Sequence, residues 1–144
     1  MNKKVCVRIK GLQVYDESAS DEEVIETINI GAYYKRDGKH LIKYESAPES
    51  SEKKPNSNLL KISPDEVELT VKGEIWTHLL FTRGEKNTTM YDTPFGSLSL
   101  GIDTYELSVL ESDDLIVVDI KYGVDFNLNS VALSTVHIEI ESTR

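Results

Sequence analysis

An all-β fold, an antiparallel up-and-down β-barrel of about eight to ten strands, is what this 144-residue chain predicts. Three observations carry that expectation. Apolar residues recur with period two along most of the chain, the signature of strands with one face buried. No segment holds the roughly 10–12 residues of 3.6-period pattern that an amphipathic helix needs. Turn signals follow one another closely, so the strands are successive and hairpin-connected. A sheet of that many strands tends to curl or close, because closure removes its exposed edges.

The elements follow in order. Val5, Val7 and Ile9 alternate with Lys4, Cys6, Arg8 and Lys10, a half-buried first strand. At Gly11 the apolar phase slips by one residue, to Leu12 and Val14, which predicts a bulge or bend. Asp16–Glu26 carries six acids and no base. It reads as a solvated connection, since it lacks the alternating ligand positions and mid-loop Gly of a calcium loop. Val24, Ile28, Ile30, Ala32 and Tyr34 share one face of a long second strand, and Gly31 interrupts the other face. Asp37-Gly38 is a hairpin turn signal, with His40–Glu45 as the return strand.

Ala47–Asn58 is rich in Ser, Pro, Glu, Lys and Asn and reads as an exposed loop. Leu59–Ile62 is a short strand, and Val67, Leu69 and Val71 mark the next. Lys72-Gly73 fits a tight two-residue turn into Glu74–Thr82, and Gly84–Asn87 turns into Thr88–Thr93. Pro94 and Gly96 bracket a bend. Ser97–Leu110 is long and slips phase between Ile102 and Tyr105. Ser112–Asp114 then turns into Leu115–Phe126, and Asn127–Ser130 into Val131–Ile140. Neither side of the 47–58 loop has strands enough for its own core, so residues 1–144 form a single domain.

The charge balance narrows function. Lys and Arg number 16 against 25 Asp and Glu, a formal net charge of −9. Generic nucleic-acid binding and docking on anionic membranes both need the opposite sign. The single cysteine, Cys6, excludes an intrachain disulfide and suits a reducing cytoplasm. Lys3 and Lys4 precede only Val5-Cys6-Val7, too short for a secretory apolar core. No run approaches a membrane span.

Several segments carry a family likeness. They are Ile30–Tyr34, Lys43–Glu45, Leu60–Ser63, Leu80–Gly84, Tyr91–Gly96 and Ile120–Tyr122. In this order and spacing they resemble the YwiB-like bacterial proteins, a family without an assigned activity. The Thr93–Gly96 turn and the Phe81–Gly84 segment are the most specific pieces. The resemblance implies a barrel of calycin type, the superfamily of lipocalins and fatty-acid-binding proteins. The lipocalin Gly-x-Trp is missing near the first strand. The Arg-x-Tyr clamp of fatty-acid-binding proteins is missing near the last ones. No cofactor is expected.

Candidate chemistry is sparse. His40, His78 and His137 have no His or Cys at ligand spacing, so no metal site is expected. Cys6 lies between Lys4 and Arg8, which favour a thiolate, but no orienting base accompanies it. Gly96–Gly101 lacks the spacing of a nucleophile elbow, and no Gly-rich phosphate loop is present. Asp103, near the phase slip, is either an inward carboxylate with Arg83 or Lys121 as partner or, the reading favoured by its place at a bulge, an exposed or turn-associated Asp. Trp76 and His78 sit in a stretch apolar on both faces, where they line a lumen, mark an interface or pack in the core. Arg83 with Tyr91 is the best reader of a ligand's polar group.

Three readings follow. In the first, Trp76, His78, Arg83, Tyr91 and Asp103 serve a non-enzymatic cytoplasmic barrel that binds a small apolar or amphipathic ligand. Gly31, Ala32, Gly101, Ala132 and Ser134 would leave it room. In the second, the barrel is simply packed and acts as an interaction module, with a homodimer face around Trp76. In the third, an enzyme works at the barrel mouth and requires His78, Arg83 and Asp103 to converge.

Overall fold

The computed structural model describes residues 1, 3–11, 26–46, 55–73, 76–93, 96–127 and 129–143; at 91–93 and 130–132 only the backbone is described. The acidic connection as far as 25, Leu12 and Val14, the 47–54 part of the predicted loop, and Pro94 lie outside them.

Ten antiparallel strands form one sheet. They are β1 (Lys4–Lys10), β2 (Glu26–Arg36), β3 (Lys39–Ser46), β4 (Asn56–Ser63) and β5 (Glu66–Lys72), then β6 (Thr77–Thr82), β7 (Lys86–Thr93), β8 (Gly96–Glu111), β9 (Leu115–Phe126) and β10 (Asn129–Ser142). Their spatial order is β6-β5-β4-β3-β2-β1-β10-β9-β8-β7. Each strand therefore pairs with its sequence neighbours except at two places. The first and last strands pair with each other, Val7 opposite Ile140, and the ladder breaks between β6 and β7. The result is a nearly closed barrel whose seam lies in the middle of the chain.

At the seam, backbone bonds run instead from the β6–β7 turn to β8: Gly84 N donates to Thr104 O and Thr104 N to Glu85 O, both at 3.0 Å. Side chains complete the closure. Arg83 donates through Nε and Nη2 to Leu107 O at 3.1 and 2.7 Å, and through Nη2 to Pro64 O at 3.1 Å. It also reaches Asp65 Oδ1 at 2.6 Å. Asn87 Nδ2 donates to Thr82 Oγ1 at 2.9 Å and Leu80 O at 3.3 Å. One guanidinium fork thus ties the β4–β5 turn to β8 across the gap.

The core is the inward half of the alternation. It includes Val5, Val7, Ile42, Leu60, Ile62, Val67, Ile116, Val118 and Ile140, all fully buried. Facing residues on paired strands share a side of the sheet. Val5 and Val7 oppose Gly31 and Asn29, so β2 turns Asn29, Gly31 and Tyr33 inward. The apolar stripe Ile28, Ile30, Ala32 and Tyr34 lies on the outer surface.

Local detail follows the predicted signals, with two corrections. Asp37 and Gly38 both have positive φ, 53° and 77°, as a two-residue primed turn requires. The phase slip in β8 is a bulge at Tyr105, between the registered pairs of Thr104 and Glu106. The β5–β6 connection is longer than the tight Lys72-Gly73 turn, because Val71 pairs with Thr77. A Cβ on Gly73 would run into the amide end of the Asn56 side chain, which lies against the glycine. β4 begins at Asn56, inside the predicted loop. Asn58 is buried, and its Nδ2 donates to Ser46 Oγ at 2.9 Å and Tyr44 O at 3.3 Å, which lets a polar residue extend the strand.

Candidate functional site

Among the described residues, no Lys, Arg, Asp or Glu side chain is fully buried. The interior's buried polar members among the described residues are His40, Asn58 and Thr104, beside inward tyrosines at 33, 44 and 122. Burial raises the phenol pKa of all three tyrosines, that of Tyr44 to about 12, so they remain neutral donors.

Two polar clusters occupy this interior. The first closes one end of the barrel, where the β2–β3, β4–β5 and β8–β9 turns gather. The Tyr33 hydroxyl lies 2.6 Å from His40 Nδ1, and His40 Nε2 lies 3.0 Å from Glu111 Oε2. Lys35 Nζ is 3.9 Å from the other Glu111 oxygen. With a neutral ring, Nε2–H donates to the carboxylate and Nδ1 accepts from the phenol. Glu111 stands on β8 and His40 on β3, which are not neighbours in the sheet, so this contact spans the end of the barrel. Every polar group here has a partner.

The second cluster lies beside the seam. Thr104 on β8 and Tyr122 on β9 are registered opposite each other, and both side chains point inward at 0% exposure. The Phe81 ring packs edge-on against Tyr122, with centroids 5.0 Å apart. Neither Thr104 Oγ1 nor the Tyr122 hydroxyl has a hydrogen-bond partner. Ser134 opposes Tyr122 on β10 and lowers its raised pKa in part, although the two hydroxyls do not reach full hydrogen-bond geometry. Leaving a buried hydroxyl unpaired costs about 1–3 kcal/mol, and here two such groups adjoin. Both depend on local irregularity: the Tyr105 bulge sits directly after Thr104, and Gly123 directly after Tyr122. The outer face repays the glycine, since Tyr105 lies against it; a Cβ there would meet the Tyr105 Oη at 3.1 Å. Towards this side of the barrel the inward positions Val71, Leu98, Phe126 and Ser134 are only half-buried.

The residues singled out from sequence are placed elsewhere. Trp76 is 63% exposed, with Lys72 Nζ 4.8 Å from its ring centroid. His78 faces outward beside Glu68, Nε2 to Oε2 at 3.2 Å. The core side of β6 belongs to Leu79 and Phe81. Asp103 faces outward too, opposite Lys86, which pairs with Asp125. That hydrogen bond to Asp125, with Asp103 adding its charge, raises the Lys86 pKa. Arg83 seals the seam, and the side chain of Tyr91 lies outside the described residues. Among the described residues, no hydrogen bond or ion pair joins any two of His78, Arg83 and Asp103. Of the small residues, Gly31 faces inward, and Gly101 faces Lys86 and Asp125 on the outside.

Each histidine is instead held by carboxylates: His40 by Glu111, His78 by Glu68, and His137 by Asp119 at 2.5 Å and Glu139 at 3.0 Å. Among the described residues, no three His, Cys, Asp or Glu side chains are arranged to hold a metal, and no helix is long and apolar enough to cross a membrane. Tyr122 was legible as inward from the run Ile116, Val118, Ile120, Tyr122, Val124. Thr104 was not, because it sits at the slip.

Comparison with known proteins adds a family and a fold. Residues 7–140 match the family model described as a domain of unknown function, DUF1934. The crystal structure of the ywiB protein from Bacillus subtilis superposes with a TM-score of 0.78 at 21% identity, over 99% of this chain and 93% of that one. No curated protein matches the chain.

Proposed function

The chain belongs to the DUF1934 family, and we propose that its barrel is a non-catalytic cytoplasmic binding protein that holds one small, largely apolar molecule in the interior. The observation that supports this is the pair of adjoining, fully buried hydroxyls of Thr104 and Tyr122 without partners. Native interiors pair nearly all buried polar groups, and unpaired ones mark a functional or solvent site. The surroundings are apolar, and one end of the barrel is closed by the Tyr33–His40–Glu111 network. Passage therefore falls to the opposite rim or the seam.

Mass spectrometry of the protein purified from its own host tests this. A reproducible extra mass in gentle ionisation that disappears on denaturation is the expected result. A bare polypeptide mass in both conditions overturns it.

A second reading draws on the outer surface of β2. Ile28 and Ile30 are 56% and 55% exposed, and Tyr34 extends the stripe. A patch of this kind suits a second copy of the chain. Sedimentation of the protein and of Ile30→Lys distinguishes it: a dimer that the substitution converts to monomer supports the reading, and a monomer throughout removes it.

A further inference from the structure

We infer that the interior site selects uncharged ligands bearing a hydroxyl or carbonyl group, which Tyr122 and Thr104 bind together, and that it rejects carboxylates. The inference rests on the binding-barrel reading and specifies its ligand.

A phenol and a threonine hydroxyl can each donate a proton and accept one. Two such groups on facing positions of neighbouring strands complement an alcohol, which also does both, or a carbonyl, which accepts from both. An ionised carboxylate buried in the same place would need a cation to offset its desolvation. The described residues offer none: the buried polar set is His40, Asn58 and Thr104, without Lys or Arg. The nearest guanidinium, Arg83, already donates to Leu107 O, Pro64 O and Asp65 on the far side of β8. His40 is bound to Tyr33 and Glu111 at the closed end. The Phe81 ring edge against Tyr122 completes an apolar wall around the polar point. The arrangement differs from a fatty-acid clamp in kind, because it reads hydrogen-bonding capacity without reading charge.

A matched series tests it: octanol, octanoate and octane, titrated at neutral pH and followed by backbone amide shifts of Thr104 and Tyr122. Octanol is expected to bind at least about tenfold more tightly than octane, the worth of one good hydrogen bond, and octanoate to bind more weakly than both. Tyr122→Phe and Thr104→Val should erase the octanol advantage while leaving octane binding unchanged. Both variants remove an unpaired buried hydroxyl from an apolar site, so both are expected to fold.

Equal binding of octanol and octane overturns the inference while leaving the barrel reading intact; the two hydroxyls then serve an interior water only. Tighter binding of octanoate overturns it by revealing a cation. Failure of all three to shift any interior amide counts against the binding-barrel reading itself.

Discussion

Two buried tyrosines in one barrel have opposite circumstances. Tyr33 gives its hydroxyl to His40, which passes the interaction to Glu111, and the three close an end of the barrel. Tyr122 is enclosed more deeply, and its hydroxyl meets no partner. A buried polar group is stabilising only when satisfied, so the first cluster contributes to the fold and the second burdens it. On the binding reading proposed above, this burden beside the bulge is stability traded for a site.

The comparison is broken most severely at its satisfied end. His40→Ala should cost about 3 kcal/mol in urea unfolding, because it opens a cavity and leaves the buried Tyr33 hydroxyl without its partner. An effect below about 1 kcal/mol, close to that of a surface change, would show that the closure is not structural.

Arg83 closes the side of the barrel as His40 closes its end. Arg83→Ala should cost about 2 kcal/mol, since it leaves the Leu107 and Pro64 carbonyls unpaired. Its exposed pair with Asp65 contributes little of that. Arg83→Lys should recover less than half, because a point charge cannot span the fork. Hydrogen exchange at the Thr104 amide, which crosses the seam, reports the loss locally.

The sharpest form of the comparison substitutes the same atom twice. Tyr33→Phe should lose about 1 kcal/mol and Tyr122→Phe, without ligand, should gain about 1 kcal/mol. Destabilisation by both would mean that the Tyr122 hydroxyl holds an ordered water in the resting protein.

The smallest effect lies outside the barrel. His137 is raised above its usual pKa of 6.5 by Glu139 first and Asp119 second. A raised folded-state pKa gives stability that is fully present below 6.5 and lost as pH rises through the folded value. The group is partly exposed, so solvent screens the gain. His137→Gln should flatten the pH dependence of the melting temperature above pH 6.5 by a small margin, whereas an unchanged slope would assign it to other groups.

The sequence by itself determined the strands, the Asp37-Gly38 turn and the irregularity near Tyr105. Each is a local matter of period, φ and phase, and each can be read from neighbouring residues. It could not say which face of a strand is inside. The apolar stripe of β2 points outward because Val5 and Val7 opposite Gly31 and Asn29 decide the register, and a period of two is blind to that choice. Nor could it place the seam between β6 and β7, two strands joined by a short turn, because closure depends on how β1 meets β10. The candidate site follows the same rule. The alternation Ile116, Val118, Ile120, Tyr122, Val124 puts Tyr122 on an apolar face, but its lack of a partner is a property of the enclosed interior. The meeting of His40 with Glu111 across the barrel end likewise belongs to no segment of the chain and exists only once the sheet has curved round on itself.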